Sequence, residues 1–539
     1  KLAAFSYACF ILTSLLFPLD IVLFYLREGY ASSMNDIQQT IKSLGIDPIT
    51  LFVSIFSVFL TASFILWDVD LAKQLIGQTY SLIVDNFGSA YLVLTIFSFI
   101  FLILISISKY GNYVLGGKGT YPEFSYFSWI GMLFCSGIGG GIIYWSGVEW
   151  AYYVEIPQFN IEPYSDESYS LATAYGLFHW GISAWSIYGI PAIALSIAFY
   201  KYNLNSLRLS SSLKGLGFKN IESSLFGRFI DLTFILATVG AAGGTIGSYI
   251  PMLSSGFTNL FNINNGLQID IGVIILCVSL FGFSVYKGLD KGIKNLSNFN
   301  LILALVFIFL VITSSDFFSL IKTSYSGIKF SFIYFWEMST LGISEPSDFA
   351  KEWTIFYWAW WVAFGPLVGL FIARISKGRS IRQVIAGMLI FGTLGTWLFY
   401  LVLGGYSMNG ELNNELNIIQ NMKDIGHAET AISVINSLPM SRLMLLVFCV
   451  ITIVFITTSY DSMSYVISSH VLKTEGANKE PHKNLRLSWA IILGILPAVL
   501  VLYSDHSVAL DLILITSLPL LFIYPLMAIS VVRELSRDK

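Results

Sequence analysis

Charge is scarce in this sequence. Its 539 residues include 30 Lys and Arg and 33 Asp and Glu, so charged residues make up 12%, against ~25% in soluble proteins. A soluble surface cannot be covered so thinly, which excludes a string of soluble domains. The same shortage excludes disorder and coiled coil. Net charge is only −3, so no bulk field suggests a polyanionic partner such as nucleic acid. Cysteine is rare too. Cys9, Cys135, Cys277 and Cys449 sit singly in apolar runs, without metal-ligand spacing, and read as small buried residues rather than disulfide partners. Catalytic motifs are missing: there is no P-loop, no H-E-x-x-H, no G-x-S-x-G in a strand–helix context and no Cys/His cluster. ATP-driven transport within the chain is excluded, and nothing suggests an enzyme.

What is present is apolar. Hydrophobic residues are 55%, aromatics 16%, and the mean hydropathy is +0.72, which indicates an integral membrane protein. A helical span needs ~20 mainly apolar residues. Such runs fall at about 2–26, 49–67, 90–108, 128–148, 170–200, 229–255, 268–286, 298–314, 353–373, 383–405, 443–472, 487–503 and 508–531. The first carries Pro18 and Asp20, with Arg27 after it. A signal peptide wants its positive charge in front, so an extra N-terminal helix is the expectation. The runs are too long, and alternate too little, for a β-barrel.

Basic residues collect in alternate loops: Lys201 to Lys219, Lys287 to Lys294, Arg374 to Arg382, Lys473 to Arg486, and the tail from Arg533. The positive-inside rule puts these loops and the C-terminus in the cytoplasm, as in a multi-pass plasma (inner) membrane protein. The longest polar insert, 406–440, has room for one short surface helix. Residues 327–347, with Phe330, Phe332, Phe335 and Trp336, read as an amphipathic segment at the outer interface.

Two spans break their own helix rules. Gly137-Ile138-Gly139-Gly140-Gly141 lies inside the 128–148 run. Glycine is a poor helix former, and unwound backbone at mid-membrane is tolerated where it lines a cavity. Its freed amides can hold an anion and its carbonyls a cation. The alternative is close packing through Gly137 and Gly141, a G-x-x-x-G pair. Phe364-Gly365-Pro366 interrupts the 353–373 run, as a functional break or as a simple proline kink. The two lie five spans apart, as in an inverted five-plus-five repeat. The expected order is an extra helix and linker (1–48), two peripheral transmembrane helices (49–127), a first repeat (128–314), an interfacial connecting helix (315–352), a second repeat (353–531) and a short cytoplasmic tail (532–539).

Membrane tryptophans usually mark the interface belt. Trp180 and Trp185, with Tyr188, lie too deep in the 170–200 run for that, and Trp358, Trp360 and Trp361 cluster in another span. Aromatic faces around one cavity bind a quaternary ammonium or sulfonium by cation–π attraction. Thr457-Thr458-Ser459-Tyr460-Asp461-Ser462 interrupts the 443–472 run. The hydroxyls of Thr458 and Ser459 are hard oxygen ligands suited to Na⁺. Asp461 is a functional candidate by its depth, or a group that fixes the fold. His179 reads as a packing residue.

Trp353-Thr354-Ile355-Phe356-Tyr357-Trp358-Ala359-Trp360-Trp361 resembles the W-T-x-x-[FY]-W-x-W-W signature of the betaine/carnitine/choline transporters. Arg374 to Arg382 resembles that family's basic loop, and Pro122 to Glu149 its glycine-stretch region. His179 to Tyr188 resembles its aromatic-box helix, and Thr458-Ser459-x-Asp461-Ser462 is similar to its ion-site segment. The resemblance runs from about 49 to 531. It implies an all-α polytopic membrane protein with the inverted-repeat transporter fold, two preceding core helices and, often, a homotrimer. It implies a box of Trp180, Trp185, Tyr188 and Trp361, flanked by Trp360 and Phe364, around an onium group. Gly137, Ile138, Gly139 and Gly141 would lie near the carboxylate end. Carbonyls of Cys135, Ile138 and Phe455 with the hydroxyls of Thr458 and Ser459 would hold Na⁺ as coupling ion, with no other cofactor. Asp461 and Pro366 would act in structure or gating. At Gly141 some proton-coupled choline members carry an acid, so glycine there favours sodium. Ala242 and Leu367 depart from a second sodium site, and Trp150 stands where proline is usual. The implied activity is import of glycine betaine, choline or dimethylsulfoniopropionate by alternating access. A sodium-independent substrate:product exchanger is the alternative, and a non-transporting receptor or sensor the outside one.

Overall fold

The computed structural model describes residues 45–202, 208–218, 220–287, 292–473, 481–503 and 506–537. The extra helix expected near 2–26 lies outside them. Among the described residues the chain is helical throughout, with only two isolated β-bridges.

Short polar caps start many of the helices. Asp47 caps α1 (Pro48–Trp67), whose Pro48 suits the first helical position. Asp68 breaks the chain once and caps α2 (Val69–Ile107). The run read as 90–108 is therefore the second half of a 39-residue helix, because the polar residues before it, Asp70 to Asp85, are compatible with helix even though they hide the span. Next come α3 (Tyr126–Gly137), α4 (Gly140–Trp145) and α5 (Trp150–Glu155), then α6 (Asp166–His179) and α7 (Ile182–Lys201). The chain continues through α8 (Leu225–Phe261), α9 (Leu267–Lys287) and α10 (Gly292–Ser314). Two helices, α11 (Phe317–Ile333) and α12 (Phe335–Thr340), form the connection, on which Phe332 and Trp336 are exposed.

A π turn, Ala350–Thr354, leads into α13 (Ile355–Ile375). Then α14 (Ile381–Leu412) contains two π turns, Met388–Gly392 and Tyr400–Gly404. The insert at 406–440 holds the end of α14 and two short helices, α15 (Ile418–Asp424) and α16 (Gly426–Asn436), rather than one surface helix. The second forms because Ala428, Ile432 and Ile435 give it a face to bury. The chain closes with α17 (Ser441–His470), α18 (Lys483–Tyr503) and α19 (His506–Arg537).

Eleven of these helical stretches are long and apolar enough to cross a membrane. Burial ranks them. The best apolar window is 89% buried in Asp166–Lys201, 83% in α8 and 78% in Ala350–Ile375, against 28% in α1 and 22% in α9. The first three form the centre. The others turn apolar side chains such as Phe52, Ile275 and Phe283 outward, as a lipid-facing helix does.

The strand-like segment before α1 is tied to a buried polar cluster near the start of α8. The Asp47 amide donates to Val471 O at 2.7 Å, and Lys473 N to Gly45 O at 2.6 Å. Arg208, 2% exposed, pairs with Asp231 at 3.0 Å and Asp47 at 3.3 Å. Burial pushes the Asp47 carboxyl up, but Arg228 and Arg208 outweigh it and hold it below the usual carboxylate range.

Candidate functional site

Two helix breaks create the site. The first lies at Ile138 and Gly139, between α3 and α4. Gly137 is also a close-packing glycine, because a Cβ there would lie 2.4 Å from Gly392 O of α14. Unwinding and close packing, read from the sequence as alternatives, occur together. The second break was not expected. The 170–200 run is not one helix: it opens at Trp180 and Gly181, between α6 and α7. Its freed carbonyls find partners on α14. Thr396 Oγ1 donates to Trp180 O at 2.5 Å, and Trp397 Nε1 to Leu177 O at 2.9 Å. A Cβ at Gly181 would lie 2.2 Å from Leu177 O, so only glycine turns the chain here.

Of the two readings at Phe364-Gly365-Pro366, a functional break or a simple proline kink, the break does not occur, and α13 runs through it. Pro366 has no N–H to give to Val362 O. The Tyr524 hydroxyl of α19 donates to that carbonyl instead, at 3.0 Å. The helix keeps its path because a neighbour replaces the missing donor.

Between the breaks lies a cavity of about 150 Å³, small against the ~300–1,000 Å³ of drug-sized sites. Trp180, Trp185, Tyr188, Trp360, Trp361 and Phe364 line it, with Gly137, Gly139 and Gly141 at the first break. The rings stand mostly edge to face. Trp361 is 5.9 Å from Trp180 (72°), 5.9 Å from Trp185 (63°) and 4.6 Å from Tyr188. Trp358 is fully buried instead, edge-on to Phe178 at 5.2 Å.

The other named residues sit differently. Phe455 and Ser459 line the cavity from α17. Thr458 is half-buried and its hydroxyl donates to Val454 O at 2.9 Å. Cys135 O, at the end of α3, accepts from Ile138 N at 3.0 Å. Ile138 is buried beside the lining. Asp461 faces away from it and accepts from Ser284 Oγ of α9 at 2.9 Å. Among the described residues no cluster of His, Cys, Asp and Glu could hold a metal ion.

Sequence reasoning missed Glu149, which is fully buried at the junction of α4 and α5. Tyr153 donates to its Oε1 at 2.6 Å. Trp180 Nε1 at 2.9 Å and the Tyr357 hydroxyl at 2.7 Å donate to its Oε2. His179 bonds Tyr153 at 3.1 Å and Thr354 at 3.1 Å, so it is a packing residue in a network. This carboxylate joins the α6–α7 break to α13 and fixes the Trp180 ring. An acid at the end of an apolar run was the available signal. Tyr249 of α8 and Thr396 also line the cavity, and neither stands out in the sequence. A separate space of about 600 Å³ shares no lining residue with the cavity. Tyr152, Trp353 and His427 line it with Asp85, Asp348, Glu352 and Asp511, and its Lys351 pairs with Asp85 at 2.7 Å.

Residues 49–539 match the family model for betaine/carnitine/choline transporters. A carnitine transporter of Acinetobacter baumannii is 31% identical over 465 residues, 84% of this chain and 82% of its own. The glycine betaine transporter OpuD of Bacillus subtilis is 30% identical over 491 residues, 89% of this chain and 94% of its own. A glycine betaine/proline/choline/ectoine transporter of Vibrio parahaemolyticus is 31% identical over 497 residues, covering 89% and 85%. A polytopic helical membrane protein with this match across nearly its whole length belongs to the betaine/carnitine/choline transporter family.

Proposed function

We propose that the chain imports a small onium solute, such as glycine betaine, choline or dimethylsulfoniopropionate, by Na⁺-coupled alternating access. One observation carries this reading: the edge-to-face cluster of Trp180, Trp185, Tyr188 and Trp361 around a small, buried cavity. Ring faces attract a methylated cation without a carboxylate partner. The names of the relatives, which carry glycine betaine, choline or carnitine, agree with that chemistry. Acidic residues around the larger space would draw cations towards the protein.

The coupling ion would use carbonyls of Cys135, Ile138 and Phe455 with the hydroxyls of Thr458 and Ser459. In its favour, Ser136, Gly139, Phe455 and Ser459 line the same cavity. The Thr458 proton is engaged with a carbonyl, which leaves its lone pairs for a cation. Na⁺ and solute would then favour the same closed state, a reciprocal linkage. With α1 and α2 set aside and α3 and α4 taken together as one span, five spans precede α11 and α12 and five follow them, and we read them as the two inverted repeats that rock around the site. The basic loops and the C-terminus would face the cytoplasm, and three copies would assemble as a homotrimer.

The test is uptake of labelled glycine betaine into proteoliposomes with and without an inward Na⁺ gradient, with choline and dimethylsulfoniopropionate as competitors. Gradient-driven accumulation is expected. Uptake only against preloaded solute would mean exchange and remove the sodium site. No uptake and no competition would remove the onium reading.

A further inference from the structure

We infer that the Tyr249 hydroxyl is a direct ligand for the oxygen-bearing end of the solute, and so a specificity-determining residue. This inference rests on the onium reading. Tyr249 is 1% exposed and lines the cavity from α8, a wall that carries none of the box rings. Its hydroxyl makes no hydrogen bond to any described residue. Tyr175 and Tyr400 are also unpaired but lie off the lining, whereas two buried tyrosines close to the cavity are paired. Tyr460, also on the lining, donates to Ala242 O at 2.5 Å, and Tyr524 donates to Val362 O at 3.0 Å. A buried hydroxyl left unpaired is costly, so its retention at a cavity wall points to a partner that arrives with the solute.

The location identifies the partner. Tyr249 Oη lies against the α3–α4 break, 2.9 Å from where a Cβ on Gly140 would stand and 3.6 Å from one on Gly141. The same Cβ on Gly141 would lie 3.0 Å from the Trp180 ring. One glycine therefore separates the phenol from an onium-binding face. The spacing suits a short solute with methylated nitrogen or sulfur at one end and oxygen at the other. The phenol donates to a carboxylate, and it donates to or accepts from an alcohol. It thus serves glycine betaine and choline, but has nothing to bond in tetramethylammonium.

The experiment is ligand binding to the purified full chain, followed by tryptophan fluorescence, for wild type and Tyr249→Phe. The ligands are glycine betaine, choline and tetramethylammonium. The variant should bind glycine betaine and choline about tenfold more weakly and tetramethylammonium unchanged. Retained tetramethylammonium binding also reports a folded site. Equal weakening of all three ligands, or of none, would overturn the inference while leaving the onium reading intact. A change only in the sodium dependence of uptake would overturn it too, by making the phenol an ion ligand. Failure of the wild type to bind any of the three would remove the onium reading itself, and this inference with it.

Discussion

Trp180 separates two polar environments that the fold treats in opposite ways. On one side, Glu149 accepts from three donors, and His179, Tyr153 and Thr354 extend the network. On the cavity side, Trp185 Nε1 and the Tyr249 hydroxyl have no partner among the described residues. In the first environment the Glu149 carboxylate has its donors without a solute, and it holds the box in shape. The second is incomplete, so its groups can exchange nothing for a solute and gain a bond. Rigidity on one side and unspent polarity on the other are what a preorganised binding site needs.

Substitutions on the two sides should therefore fail differently. The largest effect is expected for Glu149→Ala. It leaves the Tyr357 and Trp180 donors unpaired, at about 1–3 kcal/mol each, and leaves Tyr153 with His179 alone. Thermal unfolding in detergent should move sharply down and uptake should be lost. A wild-type melting temperature would show that the network does not hold the box.

Trp361→Ala should act in the other direction. Binding of glycine betaine should weaken about tenfold or more through the lost cation–π face, worth about 0.5–2 kcal/mol, and lost packing. If solute affinity stayed the same while stability fell, the ring would belong to the packed side, and the aromatic-box assignment would fail.

The smallest effect separates a repaired helix from a broken one. Tyr524→Phe removes the hydroxyl donor to Val362 O and should cost about 1 kcal/mol. Pro366→Ala supplies a backbone N–H, so the same change in that background should cost less. Equal losses in both backgrounds, measured as melting shifts, would mean that the tyrosine does not stand in for the missing amide.

The spans, and the unwinding at Ile138 and Gly139, were legible because they depend on local composition: apolar length for the first, glycine density for the second. The Trp180–Gly181 break was not legible. One glycine in an apolar run is ordinary, and what makes this one a break is Thr396 and Trp397 on another helix. Pro366 left a break and a mere kink equally open, because what decides between them is Tyr524, 158 positions further along by residue number, which bonds the carbonyl that the proline leaves free. Glu149 was passed over because an acid at the end of a run resembles a loop residue until its donors from α5, α13 and the α6–α7 break are seen.

Sequence alone thus determined the solvent, the helices that cross it and the aromatic stock of the site, since each follows from the transfer of side chains and backbone out of water. Only the tertiary structure decided where helices open, which rings face the cavity and which buried polar atoms are left for a solute. Those outcomes depend on hydrogen-bond partners far away in the chain, and no local pattern records them.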